Sequence, residues 1–104
     1  MTDPKPDKVP LDISDEVREL AGLFLRERHA DLARLDAALA DDDYATIRAV
    51  GHAFRGSSAP FGFPEAGRIG AELEKAAERH DRAAVDALVP RLRAAIPQAG
   101  PGEP

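Results

Sequence analysis

His52 stands between two arginines at helical spacing, Arg48 four residues before it and Arg55 three residues after it. Residues three or four apart share a helix face, so one face carries an imidazole flanked by two guanidinium groups. Gly56 and then Ala59 continue that face with small residues. On a wheel of about 100° per residue, His52 lies about 140° from Ile47 and so falls outside the apolar stripe Ile47, Val50, Gly51, Phe54. The stretch from Tyr44 to Ser58 contains no acid. Residues 1–43 hold 6 basic and 12 acidic side chains, and residues 44–104 hold 8 and 7. An acid-free basic face in an acidic chain suits an anion beside an imidazole, and an imidazole is a ready nucleophile or proton carrier.

Two readings fit Gly56. A glycine inside a helix costs about 1 kcal/mol relative to alanine, so its presence asks for a reason. One reason is clearance, because a missing side chain lets a partner surface approach the imidazole. The other is early fraying before the turn that follows. Gly51, on the inner stripe, suits a close helix approach. His29, in a charged segment, and His80, at a helix C-terminus, show no comparable setting. The chain has no cysteine and no His pair at i, i+4, so no metal site is expected. Ser57 and Ser58 are small polar residues closing a helix. Ser57 points away from His52 on the wheel, and no oxyanion-hole pattern accompanies it.

The elements that must position this face are helices. Alanine is the commonest residue, scattered among Leu, Arg, Asp and Glu, while Val, Ile and Thr are sparse and aromatic residues make up 5%. The spacing predicts one long helix 1 over 14–40, starting near Ser14, with room for a bend or short break between Leu25 and Leu32, where the stripe thins. Its inner residues are Val17, Leu20, Leu23, Phe24, Leu32, Leu35 and Leu39. The run Asp41–Asp43 ends it and caps helix 2, Tyr44 to about Ser58. Residues 59–63 form a connector in which Gly62 takes a left-handed turn, and Pro64 opens helix 3, about 64–79. That helix buries Ala66, Ile69, Gly70, Leu73 and Ala77. Asp81 caps helix 4, about 82–96, which buries Val85, Leu88, Leu92 and Ile96 and is kinked or loosened at Pro90. Four amphipathic helices with short loops predict an all-α antiparallel up-down four-helix bundle. Residues 1–10 and 97–104, rich in proline, read as disordered arms around a folded 11–96.

At 104 residues and net charge -5, the chain fits one small domain, with no room for a dinucleotide-binding sheet and no basic excess for nucleic acid. No apolar run reaches the roughly 18–20 residues of a membrane span, and the N-terminus lacks a signal peptide's apolar stretch, so a cytoplasmic location is expected. No glycine-rich nucleotide loop is present, so the chain is not read as a kinase.

The string His52-Ala53-Phe54-Arg55-Gly56-Ser57-Ser58, followed by Phe61-Gly62, resembles the histidine phosphotransfer (HPt) family. Leu73-Glu74 downstream, Phe24-Leu25 upstream and Ala38-Leu39 before the acidic turn fit the same pattern, so the resemblance spans nearly all of 11–96. It implies a four-helix bundle whose exposed His52 is phosphorylated on Nε2. The chain would then relay a phosphoryl group between receiver-domain aspartates in a multistep phosphorelay. Its partners would be response-regulator receivers or a hybrid histidine kinase, meeting it as a monomer at Arg48, Gly56 and Ala59. No cofactor would be bound by this chain, and Mg2+ would come with the receiver. The family usually has lysine where this chain has Arg55, which stays cationic and would stabilise phosphoryl charge with a different geometry. Glu74 stands where the family often has an acid or glutamine. It either accepts from Nδ1–H and exposes Nε2, or is a surface glutamate paired with a nearby arginine. The rival function is a bundle-shaped adaptor or inhibitor that binds a kinase or receiver without carrying phosphate.

Overall fold

The computed structural model describes residues 4–98, all helical apart from short connections: α1 (Pro4–Ala40), α2 (Tyr44–Ser57), a 3-10 turn (Ala59–Phe61), α3 (Pro64–Glu78) and α4 (Arg82–Ala94). The caps fall where side-chain chemistry puts them. Asp43 accepts from the Thr46 amide at 3.1 Å and from its hydroxyl at 2.6 Å, and Asp81 accepts from the Ala84 amide at 3.1 Å. The Thr46 hydroxyl and amide hold the Asp43 carboxyl below the usual carboxylate range. Before both caps the chain turns through a left-handed residue, Asp42 (φ 53°) and His80 (φ 54°). In each case the amide of the next residue returns to a carbonyl in the last helical turn.

α2 and α3 make the closest pairing, α1 packs on α2, and α4 packs on α3. The core joins Leu32 and Leu35 of α1, Ile47, Val50 and Phe54 of α2, Ile69, Leu73 and Ala77 of α3, and Val85, Leu88 and Leu92 of α4, with Ile96 just beyond. The expected inner stripes of α2, α3 and α4 are all buried. Proline does not stop α4. Pro90 and Asp86 are both exposed, so the Asp86 carbonyl that loses its helical partner faces water.

α1 runs unbroken through 25–32, as one long helix requires, but it departs from expectation in two ways. It begins at Pro4, so residues 4–10, expected as a disordered arm, are helical. Pro4 and Pro6 lie in the first turn, whose amides have no intrahelical partner, so proline forfeits no bond there, whereas Pro10, in the second turn, gives up the bond to the Pro6 carbonyl. Leu20 and Leu23, expected inside, are 53% and 44% exposed. A 37-residue helix is about 55 Å long, whereas α2, α3 and α4 have 13–15 residues, so the N-terminal part of α1 has no helix opposite it. Phe24 marks the edge of cover, stacked on Phe61 at 4.9 Å and Phe63 at 5.8 Å. At the other end, His29 Nε2 lies 2.8 Å from the Pro97 carbonyl, so the expected C-terminal arm is tied to α1 at its first residue. Its remainder beyond Gln98, and residues 1–3, lie outside the described residues.

Candidate functional site

The site depends on how closely α3 approaches α2. A Cβ built at Gly51 would lie 2.7 Å from both Glu74 N and Gly70 O. One at Gly70 would lie 2.6 Å from Phe54 Cβ and 2.8 Å from Gly51 O. Two glycines therefore face each other where the helix backbones touch, and no other residue fits at that distance. Glu74 is one turn beyond Gly70, so this contact sets it beside His52, which follows Gly51 directly.

The side chain of His52 is 59% exposed in the middle of α2, as the wheel predicts. That of Glu74 is only 11% exposed, and three basic groups converge on it. Oε2 lies 3.1 Å from His52 Nδ1 and 3.9 Å from Arg48 Nη1, and Oε1 lies 3.2 Å from Arg55 Nε. Arg55 Nη2 is also 3.3 Å from His52 Nδ1. A buried carboxylate needs such partners, because desolvation without them is costly. Of the two readings open for Glu74, the structure contains elements of both: it meets the imidazole and it pairs with arginine. It is no surface glutamate, however. His52 Nε2 has no hydrogen-bond partner among the described residues. With Nδ1–H donating to Glu74, Nε2 keeps its electron pair in the plane of an exposed ring, as a nucleophile requires.

Gly56 is exposed, and a Cβ there would meet nothing within 4 Å. Ala59, exposed at the start of the 3-10 turn, continues the open surface. Gly62 closes that turn with φ 95°, the left-handed conformation expected of it. The other histidines are used structurally: His29 holds the Pro97 carbonyl, and His80 stacks on Tyr44 at 4.3 Å. Among the described residues no three His, Asp or Glu side chains gather as metal ligands, and no helix is long and apolar enough to cross a membrane.

Arg28 is a contributor that the sequence reading missed. Its side chain is 12% exposed, and it reaches from α1 to the last turn of α2. There it donates to Ser57 Oγ at 2.6 Å and to the Ala53 carbonyl at 3.4 Å, with its guanidinium over the rings of Phe24 and Phe54. Asp31, nearly buried, balances its charge, with Oδ2 3.1 Å from Arg28 Nε at an angle that makes an ion pair rather than a hydrogen bond. Arg28 thus fixes the end of the helix that presents His52. Its partners are 25 and 29 residues away, so helical periodicity gives no sign of them. Beside it, Ser58 is fully buried and its carbonyl accepts from the amides of Phe61 and Phe63, which shapes the turn after α2.

No curated protein and no solved structure matches the chain. A family model described as Hpt domain matches residues 19–100, from the middle of α1 past the end of α4, and so takes in His52, Arg55 and Glu74. With that match over most of its length, the chain belongs to the Hpt domain family, the histidine phosphotransfer modules of two-component signalling.

Proposed function

We propose that this protein relays a phosphoryl group between the aspartates of two receiver domains through a phosphohistidine at His52. The observation that carries this reading is the setting of the ring: Nδ1 is 3.1 Å from a nearly buried carboxylate, and Nε2, on an exposed face, has no partner among the described residues. In the forward step Nε2 attacks the phosphorus of an aspartyl phosphate. The N–P bond forms as the P–O bond breaks, and the aspartate carboxylate leaves with the bonding pair. The reverse step on a second receiver regenerates the imidazole. Such transfer has a loose transition state, so positioning and charge neutralisation dominate.

In this reading Glu74 holds the Nδ1 proton, and Arg55 leaves Glu74 to meet phosphoryl oxygens, a charge-assisted and more strongly bonded partner. Arg48, Gly56 and Ala59 belong to the surface that the receiver covers, and the open space at Gly56 supports that clearance. The receiver brings Mg2+ and its own acids. We read the four helices as an antiparallel up-down bundle acting as a monomer in the cytoplasm, served by receivers or a hybrid histidine kinase.

The test is transfer from a purified phosphorylated receiver to the full chain. The expected result is an acid-labile, alkali-stable gain of one phosphoryl group, abolished in His52→Ala. Because the ring is exposed, that variant should keep its stability within about 0.5 kcal/mol. Phosphate uptake by a folded His52→Ala would show that another residue is the acceptor. No uptake by the wild type would favour an adaptor that binds without carrying phosphate.

A further inference from the structure

Nδ1 of His52 has two neighbours that make opposite demands on it. Glu74 Oε2, at 3.1 Å, can only accept a hydrogen bond, and Arg55 Nη2, at 3.3 Å, can only donate one. A neutral imidazole nitrogen either carries a proton or offers an electron pair, so one of these contacts excludes the other as a hydrogen bond. The consequence lies at the opposite nitrogen. When Nδ1–H donates to Glu74, Nε2 keeps its pair and can attack. When Nδ1 accepts from Arg55, the proton of the ring is on Nε2 and the pair is gone.

Arginine is suited to this competition. Its Nε lies 3.2 Å from Glu74 Oε1, and its Nη2 reaches the ring from the same planar fork. Lysine has a single nitrogen and no second arm to hold on the ring while it pairs with the carboxylate. Arg48 is the remaining charged group here, and it contacts Glu74 Oε2 at 3.9 Å from the preceding turn of α2.

We propose that Arg55 and Glu74 compete for Nδ1 of His52, so that Arg55 in its resting position holds part of the population in the unreactive Nε2–H tautomer and frees the nucleophile when it moves away. The switch transfers one proton within a neutral ring, lost from Nε2 and regained at Nδ1 through water, with no change in net charge. A phosphoryl group arriving at Nε2 is a stronger acceptor for the guanidinium than a neutral ring nitrogen. Arrival of the donor thereby recruits the cation and releases the nucleophile together. The inference rests on the reading of His52 as phosphoryl acceptor, but the tautomer itself is measurable without phosphate.

The experiment is a long-range proton–nitrogen spectrum of the full chain, labelled with 15N in the histidine rings. It is recorded on the alkaline side of the ring's own titration, at a pH where the nitrogen shifts no longer change. The Nδ1–H fraction of His52 is expected to rise about twofold or more in Arg55→Ala. Arg55→Lys should follow Arg55→Ala despite its retained charge, and Glu74→Ala should move the ring toward Nε2–H. An Nδ1–H fraction unchanged in Arg55→Ala, or shifts in the same direction for the Arg55 and Glu74 variants, would overturn the competition. Phosphoramidate treatment of the same samples separates the two ideas. If the tautomers move as expected while His52 stays unmodified in every sample, the phosphoacceptor reading fails and the competition stands.

Discussion

Replacing Gly70 by alanine tests the close contact on which the whole site depends. The new Cβ would lie 2.6 Å from Phe54 Cβ, 2.8 Å from Gly51 O and 2.9 Å from Arg55 N. Ordinary carbon contacts are about 3.5–4.0 Å, so the helices must separate by about 1 Å. No rotamer change can absorb the clash, because a Cβ and two main-chain atoms move only with their backbone. Overpacking costs about 1–3 kcal/mol, and this rigid case belongs at the upper end. The helix-propensity gain of alanine over glycine returns about 1 kcal/mol, which leaves a net loss of about 2 kcal/mol. For a domain of this size that lowers Tm by about 8–16 °C. Glu74 moves back with α3, and its 3.1 Å contact to Nδ1 stretches to about 4 Å, beyond hydrogen bonding. Thermal or denaturant unfolding measures the first effect, and the His52 ring nitrogen shifts report the second. Gly56→Ala is the matched control: with nothing within 4 Å of its Cβ, it should raise stability by about 0.5–1 kcal/mol. A Gly70→Ala protein that melts at or above the wild type, with unchanged ring signals, would refute the reasoning.

Gly56→Gln is expected to keep or raise Tm yet slow transfer from a phosphorylated receiver, while phosphoramidate still modifies His52. Equal slowing with both donors, or none with either, would show that Gly56 does not act through clearance. Arg28→Leu should lose about 1–3 kcal/mol in denaturant unfolding, since it strands Asp31 with Arg34 alone and removes the bonds to Ser57 and Ala53. Hydrogen exchange should rise first in the last turn of α2, and unaltered exchange there would contradict this role. Asp43 has a folded-state pKa below its unfolded value, so its stabilising contribution is complete above the ordinary carboxylate range and disappears as pH falls through the folded value. Asp43→Asn keeps a capping oxygen without the titration. Its acid-side stability curve should therefore be flatter than that of the wild type, and coincident curves would exclude the effect.

Much of this protein is readable from neighbours in the chain. Asp43 and Asp81 mark where α2 and α4 start, and the spacing of Ile47, Val50, Gly51 and Phe54 names the inner face of α2. His52 falls outside that stripe, so its exposure follows from the period of one helix, and the string around it carries the family resemblance. These features are local, because capping and periodicity act over three or four residues. What lay beyond reach depends on which helices meet and how closely. Leu20 and Leu23 have the spacing of a buried stripe, but α1 outruns its neighbours and leaves them in water. Glu74, 22 residues from His52, is named by the resemblance with two readings open, and it is the Gly51–Gly70 contact that sets it, nearly buried, beside both the imidazole and Arg55. Arg28 lies in a charged stretch that reads as solvated surface, until α1 packs on α2 and puts its guanidinium over Phe54. The two demands on Nδ1 arise in the same way, from a carboxylate on α3 and a guanidinium on α2 that only tertiary packing brings to one nitrogen.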